Sequence, residues 1–413
     1  MRRALAAIAL AALLAGAGGS LAASSAPPPA RVLAAYFAAY DAGFNADDIP
    51  GGALTDVIYA FGAIGTGGRC TLGDPYADIQ EGFADAVAPP DGLHGNFGQL
   101  ELLEARYPKL ETEISIGGWG PGSARFSAAA STPARRRTLV RSCIDLFLRR
   151  WAGLFDGIDI DWEFPVAGGA RDTPARPADR AVATALLREF RRELDALGAR
   201  THRHYLLTVA MPADRTPSGS YTPSTSWDLP AVAATVDWIN LESYDLTSGG
   251  SRRTDFESAL APSPGDPSPA APHGGNTVEG AVGFYEAAGV PASSIVIGAP
   301  FYGHVFTHVP GTADGLFQRF RRLGATPTYA QIVAGALPGF ERFWSAAAQE
   351  PWLYSHRARQ FVSYEDPESL AAKARYVVSA GLRGVMVWEI SMDDPAHDLL
   401  NALAIPLLGH AAG

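Results

Sequence analysis

The chain has 413 residues, 47% of them hydrophobic and 18% charged, with a formal net charge of −10. That balance suits a soluble globular protein with a large core, and barrels of this length fold as one domain. The negative surface excludes nucleic acid as an expected partner, because a phosphate backbone would repel it. The basic run Arg135-Arg136-Arg137 reads as a solvated helix face.

At the start of the chain, Arg2 and Arg3 precede an apolar run from Ala4 to Ala15, and Ser20-Leu21-Ala22 has the shape of a signal-peptidase site. A signal peptide over 1–22 is expected, giving a secreted protein with no membrane association once the leader is cut. An uncleaved anchor is the alternative, although the run is short for a bilayer span. Residues 23–30, ASSAPPPA, read as a stiff linker, and 31–409 as one domain.

Eight β-rich runs follow: Arg31–Ala38, Thr55–Ile64, Leu110–Gly117, Phe155–Glu163, His204–Pro212, Val236–Tyr244, Ser294–Phe301 and Arg383–Ile390. Several are nearly continuous apolar runs, as strands of a parallel sheet buried on both faces require. Helical patterns lie between them, including Arg135–Arg150, Pro177–Leu197, Val278–Ala288 and Ser369–Ala380. This alternation predicts an α/β fold, a closed (β/α)₈ TIM barrel, with an open doubly wound sheet as the alternative. No Gly-rich phosphate fingerprint follows the first strand, which counts against a nucleotide-binding version. Two stretches interrupt the pattern: a long Ser/Pro/Gly-rich loop from Leu246 to Asn276, and residues 307–360, read as a small α+β insertion between strands 7 and 8. Both leave strand C-terminal ends, where barrels build their sites.

Cys70 and Cys143 are the only cysteines. In an oxidising compartment they would bridge, closing a loop of about 70 residues worth on the order of 4 kcal/mol; two buried free thiols are the alternative. No metal-type cysteine spacing and no HExxH motif occurs, so neither a metal nor a cofactor is expected.

The sharpest feature is Asp156-Gly-Ile-Asp159-Ile-Asp161-Trp-Glu163-Phe-Pro165. Residues two apart on a strand share a face, so Asp159, Asp161 and Glu163 point into the lumen, with Glu163 nearest the C-terminal mouth. Burying three carboxylates about 6.6 Å apart is costly, and repulsion with desolvation should leave at least one protonated at neutral pH. A protonated Glu at the mouth is what a glycosidic oxygen needs from a general acid. A metal site is the competing reading, but acids strung along one strand are expected to diverge rather than converge on an ion.

The segment DGIDIDWEFP resembles the DxxDxDxE signature of glycoside hydrolase family 18, the chitinase family. Ser115-Ile-Gly-Gly118-Trp119 resembles that family's SxGG segment, and Tyr244-Asp245 its Tyr-Asp pair. Gly298-Ala-Pro-Phe-Tyr302-Gly and Gly384-Val-Met-Val-Trp388-Glu resemble its last two strands, Tyr36 and Tyr59-Ala-Phe61 its first two, and the Cys70 and Cys143 contexts a bacterial branch. The resemblance implies a chitinase that cuts β-1,4 links between N-acetylglucosamine units by a retaining, substrate-assisted route. The acetamido oxygen would attack the anomeric carbon while Glu163 protonates the leaving oxygen. Asp161 would offset the developing charge and share a proton with Asp159, steadied by Tyr36 and Ser115. Tyr244 would donate to the acetamido oxygen, and Asp245, Tyr302, Phe61 and Gly118 would shape the sugar site. Trp388 would form its floor and Trp119 a stacking platform. The expected ligands are chitin or its oligomers, and a monomer is expected.

Of the other tryptophans, Trp151, Trp162, Trp227 and Trp238 read as packing, whereas Trp344 and Trp352 either wall a groove or pack within the insertion. Two positions depart from the family pattern. Glu242 stands where Met is common, an extra acid expected near the cleft, and His304 stands where Arg is common. Two other functions fit the same residues: an endo-β-N-acetylglucosaminidase acting on glycoprotein or cell-wall glycans, and a non-catalytic chitin-binding lectin.

Overall fold

A computed structural model describes residues 31–39, 45–82, 92–215, 220–247, 251–266 and 275–411. The expected leader 1–22 and linker 23–30 lie outside the described residues, as do parts of the Leu246–Asn276 loop.

Eight parallel strands form the frame: β1 (Val32–Ala38), β2 (Asp56–Ile64), β3 (Glu111–Gly117), β4 (Gly157–Asp161), β5 (Leu206–Pro212), β6 (Trp238–Glu242), β7 (Ile295–Pro300) and β8 (Gly384–Trp388). Each pairs with its sequence neighbours, and β8 pairs with β1, so the sheet closes on itself. All eight predicted runs become barrel strands. Closure explains their composition, because each strand is buried against helices outside and against other strands' side chains inside.

Strand parity separates two apolar clusters. Outward residues such as Leu33, Ile114, Ile116, Ile158, Ile160, Leu207, Val209, Ile297 and Val385 join the large core beneath the helices. Lumen residues Val32, Ala34, Tyr36, Ile58, Ala60, Trp238, Val296 and Met386 form a smaller one. Each fully buried aliphatic side chain contributes about 1.5–3 kcal/mol. The apolar lumen half is built largely from β1, β2, β7 and β8, while the acids at the cleft come from β4 and β6 and their ends.

The predicted helices form at Pro133–Cys143, continued by a wider turn over Ile144–Arg149, and at Asp179–Thr201, Val278–Ala287 and Pro367–Ala380. Thr132, Thr277 and Asp366 cap three of them by accepting backbone N–H bonds. A short strand, Cys70–Leu72, turns back on β2, and Cys70 bonds Cys143 at the end of the Pro133–Cys143 helix. Thus the bridge pins the β2 extension to the outer helical layer.

The insertion carries a five-stranded antiparallel sheet in the order 322–323, 303–307, 360–364, 350–355, 341–345. Phe306, Tyr354, Phe361 and Trp352 fill its own small core, joined by Phe256 and Ala259. Residues 254–260 of the Leu246–Asn276 stretch are therefore packed against the insertion, while 252–253 and parts of 261–266 are exposed. Trp352 stacks on Phe343 (5.3 Å) and donates its indole N–H to the Asp314 carbonyl (3.0 Å). It packs inside the insertion, while Trp344 lies half-buried beside the Arg342 guanidinium.

Candidate active site

A cleft of about 700 Å³ opens at the C-terminal ends of the strands. Its walls include Tyr36, Phe61, Gly118, Trp119, Asp161, Glu163, Glu242, Tyr244, Asp245, Tyr302 and Trp388. Asp159 and Ser115 lie immediately below, fully buried. These residues come from seven of the eight strands or their ends, so barrel closure assembles the site.

The acid row is held from several sides. On β4, Ile158 and Ile160 point outward into the core, which commits Asp159 and Asp161 to the lumen. Trp162 continues the outward side and stacks on Phe126 (5.1 Å, 11° between planes). Ser123 then fixes the turn into Glu163: its hydroxyl accepts the Glu163 N–H (2.7 Å) and donates to the Asp161 carbonyl (3.2 Å). The Asp161 carbonyl also accepts the Gly118 N–H at 2.9 Å. Gly117 and Gly118 have φ of 129° and 93°, and a Cβ on Gly118 would come within 2.8 Å of the Phe61 ring. Glycine is needed there because any side chain would strain the backbone and strike the cleft wall.

Asp159 is surrounded by donors. Tyr36 and Ser115 donate to Oδ2 at 3.0 and 2.7 Å, and Thr208 and Asn240 to Oδ1 at 2.7 and 3.4 Å. Burial raises its pKa, and these four bonds offset only part of that rise. Asp161 lacks such support: its Oδ1 is buried without a hydrogen-bond partner among the described residues. Burial, then the charges of Glu163 and Asp159, raise its pKa well above the carboxylate range. Glu163 is raised as well, by burial and then by Glu242 and Asp245. Glu242 is raised by burial, Asp161, Asp245 and Asp159. Such a set retains protons at neutral pH and titrates jointly.

The acids converge more than expected. Carboxylate oxygens of Asp161, Glu163 and Glu242 lie within 4.8 Å of one another, because β6 brings Glu242 across the lumen to the β4 pair. The expectation that acids on one strand diverge overlooked a third carboxylate from another strand. A second group with the same spacing, Asp245, Glu257 and His304, lies beside the cleft. The first group offers oxygen donors of the hard-cation type and the second mixes two carboxylates with an imidazole, yet each is also accounted for by the proton sharing and hydrogen bonding within the site.

Tyr36 and Phe61 pack against Trp388 with ring centroids at 5.3 and 5.9 Å, making an apolar floor. Trp119 stands 60% exposed on the rim, free to meet a flat apolar surface. Tyr244 lies edge-on to Tyr302 (6.3 Å), and Tyr302 donates to Asp245 Oδ1 at 2.9 Å. His304 Nε2 meets the same oxygen at 2.6 Å and Glu257 Oε2 at 3.5 Å. The imidazole that stands where Arg is common in the resembled family thus sits between two acids.

Four contributors escaped the sequence reading: Ser123, Thr208, Asn240 and Glu257. Thr208 and Asn240 have lumen parity on β5 and β6, a signal that parity counting could have used. Ser123 and Glu257 sit on irregular segments and leave no such signal.

The family description "Glycosyl hydrolases family 18" matches residues 32–393. Chitinase A1 of Niallia circulans is 37% identical over 341 residues, covering 79% of this chain and 46% of that protein. The chain therefore spans less than half the length of that relative. Among solved structures, chitinase ChiA74 from Bacillus thuringiensis superposes with a TM-score of 0.83 at 29% identity, covering 92% of this chain and 70% of the other. A glycoside hydrolase family 18 N-acetylglucosaminidase from Paenibacillus barengoltzii superposes with a TM-score of 0.75 at 30% identity, covering 91% and 99%.

Proposed function

The chain belongs to glycosyl hydrolases family 18 and is a glycoside hydrolase, and we propose that it cuts β-1,4 links between N-acetylglucosamine units of chitin, with Glu163 as general acid and base. The observation that carries this reading is the acid row ending at Glu163, whose carboxyl stands at the cleft wall above an aromatic floor, where burial and then Glu242 and Asp245 push its pKa up. Sugars present C–H faces to such rings and hydroxyls to such acids.

In this mechanism the substrate supplies the nucleophile. The acetamido oxygen forms a bond to the anomeric carbon as the glycosidic bond breaks, and the Glu163 proton passes to the leaving oxygen. Asp161, whose Oδ1 has no hydrogen-bond partner among the described residues, offsets in its ionised form the positive charge that develops on the resulting oxazolinium ion. Tyr244, held neutral by burial and by Glu242 beside it, keeps a proton to donate to the acetamido oxygen. Glu163 then takes a proton from water as water opens the ring, and the anomeric configuration is retained.

Colloidal chitin tests the reading. Wild-type protein should release soluble N-acetylglucosamine oligomers and the Glu163→Gln variant should not. If wild type binds chitin without releasing oligomers, the lectin alternative replaces this proposal. The likeness to an N-acetylglucosaminidase favours a second reading, removal of single sugars from chain ends. Dimers and longer products early in the reaction would exclude it; monomer alone would support it. Export through the 1–22 leader belongs to the same proposal, and N-terminal sequencing of protein from culture medium should begin at Ala23.

A further inference from the structure

We propose that Glu113, buried below the acid row, is a positioning residue that exchanges one proton and one negative charge with Asp159 through the Thr208 hydroxyl. The proposal rests on the hydrolase reading and extends the catalytic row from three acids to four.

Glu113 lies on β3 two residues before Ser115, and therefore on the lumen face, one layer deeper than Asp159. Its partner in the register is Gly157, whereas Ser115 stands beside Asp159. The layer spacing is about 6.6 Å along the strands. Glu113 is fully buried, as are Thr208 and Asp159. Thr208 Oγ1 lies 2.8 Å from Glu113 Oε2 and 2.7 Å from Asp159 Oδ1. A hydroxyl carries one hydrogen and cannot donate to both carboxylates. One of the two acids must hold a proton and donate it to the Thr208 oxygen.

Two arrangements satisfy this count. In one, Glu113 is protonated and donates to Thr208, which donates to the Asp159 anion. In the other, Asp159 is protonated and donates to Thr208, which donates to the Glu113 anion. Passing between them breaks the O–H bond at Glu113 Oε2 and forms one at Thr208 Oγ1, while the former Thr208 hydrogen moves to Asp159 Oδ1. One proton moves up, one negative charge moves down, and no heavy atom need shift. The groups facing Glu113 suit this role. Burial raises its pKa most, followed by Asp159 on β4 and Asp56 on β2, with Asp237 just before β6 adding to the rise and the Thr208 hydrogen bond opposing it. Tyr36 on β1 is itself neutral, raised first by burial. Arg383, just before β8, sits over the Trp238 ring and bears on Asp56. Of the β6 and β7 side chains in the lumen, Trp238, Asn240 and Val296 do not titrate, and Glu242 lies two residues beyond Asn240, beside Asp161 and Glu163 at the cleft.

The consequence falls on Asp161. When Asp161 must be ionised to face the substrate, a negative charge on Asp159 opposes it. Retreat of that charge to Glu113 puts it one layer further from the cleft.

The test compares pH profiles of kcat on a soluble N-acetylglucosamine oligomer. Glu113→Gln keeps an N–H toward Thr208 but cannot take the charge, so the anion is confined to Asp159 and Asp161 ionises less readily. The acid limb should move toward neutral pH by about one unit, with KM unchanged. Thr208→Val, which breaks the link, should move the limb the same way, and Thr208→Ser should restore its wild-type position. The double variant Glu113→Gln/Thr208→Val should shift no further than the larger single change. An acid limb that stays in place in an active, normally melting Glu113→Gln protein overturns the proposal. Infrared titration decides independently of activity: wild type should show a protonated-carboxyl stretch that Glu113→Gln lacks. Identical spectra would overturn it even if the protein proved to be a lectin.

Discussion

Replacing Glu242 by Met should move the alkaline limb of kcat/KM to lower pH. The carboxylate oxygens of Glu242 and Glu163 lie within 4.8 Å, and Glu242 is the leading charge that holds the Glu163 proton in place. At an effective dielectric near 20, a unit charge at that distance is worth about 3.5 kcal/mol, or roughly 2.5 pH units. Water reaches the open cleft and the acids share their charge by titrating jointly, so a shift of about one unit is expected. The sign is fixed: removing a negative neighbour makes Glu163 lose its proton more easily, and the acid form disappears at lower pH. The assay is kcat/KM on a soluble oligomer across the alkaline range, with partially deacetylated chitosan compared with chitin. The same carboxylate should favour glucosamine cations, so relative activity on chitosan should fall in the variant. An unmoved limb together with unchanged chitosan preference would refute the reasoning.

Ser123→Ala should cut kcat about tenfold with KM little changed, since one buried hydrogen bond of about 1–1.5 kcal/mol positions the Glu163 backbone; steady-state kinetics with a melting curve separate this from unfolding. Trp119→Ala should raise KM for long oligomers about three- to tenfold and leave thermal stability unchanged, because the ring is exposed. Asp56 is pushed up to about 7 chiefly by burial, so it stays neutral in the folded protein while the unfolded chain ionises. That contribution to stability is present below about pH 4 and is lost as pH rises through about 7. Denaturant melts of Asp56→Asn should therefore show a flatter pH dependence over this window and a gain over wild type at pH 8. Reduction of the Cys70–Cys143 bridge should lower stability by about 4 kcal/mol in the chain-entropy model, read as an earlier denaturant midpoint.

The barrel was legible because closure imposes a simple pattern: strands buried on both faces are nearly continuous apolar runs, separated by helical periods. The acid row was legible for a related reason, since Asp159 and Asp161 break an otherwise apolar strand with a period of two. The support around that row was harder to see. Ser115, Thr208 and Asn240 reach Asp159 across 44, 49 and 81 residues of chain, a proximity that only the closed sheet creates. Glu242 was recognised as an extra acid, but its convergence on Asp161 and Glu163 depends on where β6 lies across the lumen. The His304–Glu257 contact needed the insertion, because His304 begins its sheet while Glu257 lies in a segment that reads as a surface loop. Its neighbour Phe256 instead packs against Trp352, and that burial draws Glu257 inward.

General acid catalysis by Glu163 is tested most directly by leaving-group dependence. With Glu163→Ala, kcat/KM should fall by about a thousandfold on a natural oligomer, whose departing alcohol needs a proton. On dinitrophenyl chitobioside, whose phenolate leaves unaided, the same variant should lose far less. Equal losses on the two substrates, or no loss on the natural one, would contradict the assignment of Glu163.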